Sequence, residues 1–148
     1  MDAAISLNET ADSLIRGGVH EVPIEWTDIT TGEKCKCRPD CINGDAIVDY
    51  KTTTSCVNGA FERDCRMYGY KLQAAMYTEG VLNQYFQKKK FIFIAQEKTP
   101  PYAVRVYYCN ESFVDEGMEL YRELLWRYHE CKASGKWPGY ESEVLYGE

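Results

Sequence analysis

The sequence predicts an α/β domain, a mixed β-sheet flanked by helices, and three observations predict it. Short alternating segments joined by tight-turn residues fill residues 20–51, and a long helical stripe occupies 59–82. Two further β-rich runs then lead into a last helical stripe at about 112–134. Three meandering strands followed by a helical crossover let a later strand lie parallel to an inner one, which gives α/β or α/β/α layers. The expected element order is αβββαββα.

Each element has a local reason. Residues 2–16 form a helix with Ala4, Leu7, Ala11 and Leu14 on one stripe, stopped by Gly17-Gly18. From His20 to Thr27, Val22, Ile24 and Trp26 alternate with Glu21, Pro23 and Glu25, as in a half-buried strand, and Pro23 marks an edge or bulge. Thr30-Thr31-Gly32-Glu33 turns the chain, and Lys34 to Arg38 pairs back with Cys35 and Cys37 inward. Asn43-Gly44 is the clearest turn signal and leads into a strand from Asp45 to Lys51, so three consecutive antiparallel strands are expected.

Along 59–82, Phe61, Cys65, Tyr68, Leu72, Ala75 and Met76 make the buried stripe, and Arg66, Tyr70, Gln73 and Tyr77 run beside it as one continuous edge. Phe91 to Gln96 and Ala103 to Cys109 read as strands. In the last helix Val114, Met118, Tyr121, Leu125, Tyr128 and Cys131 face inward, and Gly135 ends it.

Composition bounds the rest. A chain of 148 residues, 45% hydrophobic, suits one domain with a substantial core. No run of about eighteen apolar residues exists, and Met1-Asp2-Ala3-Ala4 lacks the zones of a signal peptide, so a cytoplasmic protein away from membranes is expected. Seven cysteines, an odd number scattered through core elements, suit reduced thiols better than a disulfide framework.

The chemistry concentrates around a few acids and a lysine. In a strand, alternate side chains share a face, so Asp49 and Lys51 point the same way, and a preceding strand ending at Asp40 brings a second carboxylate beside them. Two carboxylates suit a hard divalent cation such as Mg²⁺, with Mn²⁺ able to substitute, while an adjacent ammonium can orient an attacking water or neutralise charge on a phosphodiester.

Pro39-Asp40, Asp49-Tyr50-Lys51 and Gln73-x-x-x-Tyr77 together resemble the PD-(D/E)xK nuclease superfamily, in particular its RecE/RecB-type exonuclease branch. The resemblance covers about residues 18–140, with the strong motifs confined to 21–77. It implies a restriction-endonuclease-like αβββαβ core and a single nuclease-like domain over 1–148 without the upstream helical region of longer members. It also implies a Mg²⁺-dependent exonuclease that resects linear duplex DNA for phage-type recombination, with a single-strand annealing partner and a homo-oligomeric ring.

Under this resemblance Asp40 and Asp49 ligate the metal with the Tyr50 carbonyl as a third oxygen, and Lys51 sits over the attacking water. Glu21 matches the acidic position of the first strand, and Gln73 and Tyr77 match the motif that holds the DNA end. The family's additional histidine ligand lies upstream of the first strand, a position that neither His20 nor His129 matches. A relative with impaired catalysis, serving as a DNA-binding or assembly module, is the alternative.

A net charge of −6 requires any DNA-binding face to be segregated. Lys34, Lys36 and Arg38 alternate along one strand, Arg63, Arg66 and Lys71 lie before or on the helix of Gln73, and Lys88-Lys89-Lys90 forms a run read as a solvated loop. Lys36, Arg38, Arg66 and Lys71 are the expected DNA contacts. The acids gather on the last helix, at Glu111, Asp115, Glu116, Glu119 and Glu123, and in the tail at Glu141, Glu143 and Glu148. Cys35-x-Cys37-x-x-x-Cys41, with Cys56 or Cys65, could supply thiolates to zinc or an iron–sulfur cluster, but its spacing is poor and no C-x-x-C pair exists.

Overall fold

The computed structural model describes residues 2–147, so Glu148 lies outside the described residues. The N-terminal segment forms two short helices, α1 (Asp2–Ser6) and α2 (Glu9–Ile15), where one was expected. The break is at Asn8, whose side-chain oxygen accepts the Ala11 N–H at 3.0 Å and restarts the helix as its N-cap. Ala11 is fully buried, whereas Leu7, on the expected stripe, is exposed.

The expected strand from His20 to Thr27 is also two elements. β1 (Val19–His20) and β2 (Ile24–Thr27) are separated at Glu21, which takes the left-handed region with φ 49°. β2 pairs with β3 (Lys34–Cys37) in a two-stranded sheet of its own, and the turn between them closes on Asp28, whose carboxylate accepts the N–H groups of Thr30 and Thr31 at 3.1 and 2.8 Å. A short strand, β4 (Cys41–Asn43), joins β1 to β5 (Ala46–Thr53), and the Asn43-Gly44 turn connects β4 to β5 as expected.

The long helical stripe is broken too. α3 (Ala60–Met67) and α4 (Tyr70–Tyr85) meet at Gly69, whose φ of 67° an L side chain resists, so the axis changes direction there. β6 (Lys90–Glu97) then runs parallel to β5, β7 (Val104–Tyr108) returns antiparallel, and α5 (Glu111–Ser134) closes the fold, N-capped by Asn110.

The main sheet has the order β1-β4-β5-β6-β7, mixed because only β5 and β6 are parallel. These two central strands are apolar on both faces, as a strand covered on both sides must be. Ile47, Phe91 and Phe93 face the core built with α3, α4, α5 and the β2–β3 hairpin, while Val48, Ile92 and Ile94 face Ala11 and the N-terminal helices. The result is the α/β class expected, with the hairpin standing apart from the main sheet. Among the described residues, no helix is long and apolar enough to cross a membrane.

Candidate active site

Asp49 and Lys51 project from β5 onto the α4 face of the sheet, as strand alternation requires. Asp49 is only 1% exposed. Its Oδ1 accepts a hydrogen bond from Gln73 Nε2 at 2.9 Å, and its Oδ2 forms an ion pair with Lys51 Nζ. Tyr77 lies close enough for the Asp49 charge to act on its phenol. Gln73 and Tyr77 are one helical turn apart on α4, so a single rigid element presents both to the Asp49 carboxylate.

Burial pushes the Asp49 carboxyl up to about 6, against the attraction of Lys51, and the charge of Asp40 adds to the rise. The Tyr77 phenol is raised as well, mainly by burial, with Asp49 and Asp40 both contributing. Asp40 thus acts electrostatically on Asp49 and Tyr77 together. It sits just before β4, at the edge of β5, where its Oδ2 accepts the Tyr50 N–H at 2.8 Å. In a strand the N–H and C=O of one residue point to the same edge, so the Tyr50 carbonyl is directed to the Asp40 side. The Tyr50 side chain goes to the opposite face and donates to Gln96 Oε1 at 2.6 Å.

Lys51 rests on aromatic faces, with Nζ 4.9 Å from the Tyr70 ring centroid and 6.0 Å from that of Phe93. Beyond it opens a polar cleft of about 270 Å³ that Tyr70 also lines.

Glu21 meets this cluster through its backbone, its N–H donating to the Asp40 carbonyl oxygen at 3.1 Å. Its carboxylate is exposed and lies 3.8 Å from Arg38, itself exposed, at the positive φ where the chain leaves β1. Lys36 is on the outer face of the hairpin opposite Glu25. Lys71 points to α5, where it pairs with Glu116 and lies over the Phe113 ring. Arg66, expected on one edge with Gln73, ends α3 instead, because the break at Gly69 interrupts that edge.

His20, which does not match the family's histidine position in sequence, lines a cavity of about 320 Å³ together with Asp40. The β1–β4 pairing that sets His20 against Cys41 brings them there, and neither two-residue strand nor three-residue strand leaves a periodic signal. Sequence reasoning passed over Asp64, whose Oδ2 accepts the Thr53 hydroxyl at 2.7 Å beside the polar cleft.

The cysteines are free thiols. Burial raises Cys37 to about 12, Cys65 to about 11 and Cys109 to about 12, which keeps these thiols protonated. Among the described residues no group of three His, Cys, Asp or Glu side chains is placed to hold a metal. A hard divalent cation needs fewer protein ligands, and a buried carboxylate raised mainly by burial, with a second carboxylate near enough to add to the rise, is the kind of oxygen donor pair it takes.

The fold is similar to that of a crystal structure from Eubacterium rectale, a protein provisionally named an exonuclease, with a TM-score of 0.71 and 20% identity over 90% of this chain. The chain spans only 53% of that protein. A second crystal structure, of SSO0001, covers 93% of this chain and 67% of its own at 19% identity, with a TM-score of 0.47. No curated protein matches the chain. With residues 1–146 matching its pattern, the chain belongs to the family described as a PDDEXK-like domain of unknown function (DUF3799).

Proposed function

We propose that the chain is a Mg²⁺-dependent deoxyribonuclease domain, an exonuclease that resects linear duplex DNA. The observation that carries this reading is the buried Asp49–Lys51 pair on one strand with the Asp40 carboxylate at that strand's edge. Asp40 and Asp49 would hold the cation, Mg²⁺ or Mn²⁺, with the Tyr50 carbonyl as a third oxygen. When bound, the cation supplies charge neutralisation at the phosphodiester and a bound water of lowered pKa.

The chain's own residues do the positioning. Gln73 stops Asp49 from rotating, and Tyr77 stands one helical turn further along α4 beside the same carboxylate. Lys51 places an ammonium beside the carboxylates, where it can hold the attacking water and offset the negative charge that grows as the P–O bond breaks. Arg66, exposed in the last turn of α3, and Lys36 and Arg38, exposed on and just after β3, serve as contacts for DNA phosphates.

The name of the Eubacterium rectale protein and the RecE-like spacing of the motifs support the exonuclease form, with single-stranded tails left for an annealing partner and a homo-oligomeric ring enclosing the DNA. The test is Mg²⁺-dependent digestion of linear against covalently closed duplex, with Asp49→Asn as control. Loss of linear DNA alone supports the proposal. Nicked circles reassign it to an endonuclease. Binding without any cleavage replaces it with a non-catalytic DNA-binding module.

A further inference from the structure

The helix break at Tyr68-Gly69 does more than redirect α4. Periodicity places Tyr68 on the buried stripe, yet it is 65% exposed, its ring 5.9 Å from that of Tyr70. Tyr70 is the ring on which Lys51 rests. Lys51, Tyr70 and Tyr68 are therefore successive neighbours, leading from the carboxylates into the cleft of about 270 Å³. The cleft's other walls are the Thr52–Thr54 segment, Asp64 and Lys98.

The chemistry of this cleft is specific. An exposed aromatic face offers stacking to any base. Asp64 is anchored by Thr53, which is 1% exposed and donates to Oδ2 at 2.7 Å, so the carboxylate is fixed in place and its other oxygen can accept from a ligand. A carboxylate repels phosphate but accepts from the exocyclic amine of cytosine, adenine or guanine, a group thymine lacks. Lys98 supplies the cation for the adjoining phosphate.

We propose that this cleft is a nucleobase subsite. The base next to the scissile phosphate stacks on Tyr68, and Asp64 reads its exocyclic amine, so ends bearing thymine are held less well. The proposal rests on the nuclease reading for the identity of the substrate, but its test does not require cleavage.

The experiment uses the full chain in EDTA with single-stranded oligonucleotides carrying 2-aminopurine at either end, read by fluorescence quenching. Wild type quenches the probe at one end, and Tyr68→Ala weakens binding by about 5- to 100-fold, the effect of deleting a stacking ring. Tyr68→Phe restores both. In competition, a terminal dC displaces the probe better than a terminal dT by about 5-fold or more, and Asp64→Asn removes that difference because an amide both donates and accepts. In Mg²⁺, Tyr68→Ala raises KM and leaves kcat within about 2-fold. Equal binding by wild type and Tyr68→Ala, or equal affinity for dC and dT ends, overturns the subsite even if the protein is an active nuclease. Quenching that depends on Tyr68 in a protein that never cleaves upholds the subsite and removes the nuclease reading alone.

Discussion

Asp49 lies among Ile47, Phe91 and Phe93, where a charge loses most of its hydration, and the Lys51 ammonium does not fully compensate, so the carboxyl titrates near 6. An unfolded aspartate titrates near about 3.9. Between these values the folded state holds a proton that the unfolded chain has released. The contribution of Asp49 to the stability of the metal-free protein is therefore greatest below about pH 4, falls as pH rises to about 6, and is flat above, a loss on the order of 2–3 kcal/mol. Asp49→Asn removes the charge and keeps the amide contact to Gln73. In EDTA at pH 8 it melts no lower than wild type and loses the pH slope between 4 and 6, while cleavage disappears. Millimolar Mg²⁺ raises the melting temperature of wild type and leaves that of Asp49→Asn unchanged, because only wild type keeps both carboxylates. A wild-type melting temperature indifferent to Mg²⁺ at pH 8 would count against a cation at Asp40 and Asp49. The Asp49–Lys51 pairing was legible from strand alternation alone. The exposed position of the Glu21 carboxylate beside Arg38 was not, because it follows from a single positive φ.

α4 presents Gln73 and Tyr77 to that carboxylate, so its seat decides the site's geometry. A Cβ at Gly117 on α5 would stand 2.0 Å from the Lys71 carbonyl oxygen, a backbone clash that neither helix can relieve without moving. Gly117→Ala therefore costs about 1–3 kcal/mol and, since Lys71 is two residues from Gln73, lowers kcat more than it raises KM. Gly69→Ala meets no atom within 4 Å and only strains a φ of 67°, so it costs about 1–2 kcal/mol in urea unfolding with kcat nearly unchanged. Reversed ranks in activity would show that the break, not the α4–α5 seat, sets the site. These same elements mark where the sequence could be read. The Asn43-Gly44 hairpin, the parallel crossover to β6 and the capped α5 carry local signals, and all stand as expected. The splits at Asn8, Glu21 and Gly69 do not, because side-chain periodicity continues across a break whenever both halves cover one core. Phe61 and Cys65 of α3 and Ala74 and Ala75 of α4 do cover one core. Reading 59–82 as a single helix thus buried Tyr68 and joined Arg66 to Gln73, two errors with one backbone cause.

Across the whole molecule, many cations are already engaged. Lys71 pairs with Glu116, Arg122 with Asp28 and Glu79, Lys132 with Glu33, and Lys90 with Asp45. Of the acids in these pairs only Glu116 is on α5, so most of that helix's negative charge is left unpaired by them, and the net charge of −6 leaves little general attraction for DNA. Attraction has to come from cations outside these pairs: Lys98 in the cleft, Arg66 in the last turn of α3, Lys36 and Arg38 on the hairpin side. Each neutralised phosphate releases about one counterion, so the slope of log K against log salt for duplex binding is about −2 to −4, shallower than for proteins making about six or more phosphate contacts. Arg66→Ala and Lys98→Ala each reduce its magnitude by about 1, and Lys71→Ala leaves it unchanged, because Lys71 is held by Glu116 on the α5 side. A KCl titration of binding in EDTA measures all four proteins. A slope near −6, or one that Lys71→Ala reduces and Arg66→Ala does not, would place the DNA on the α5 side of the domain and away from Lys51.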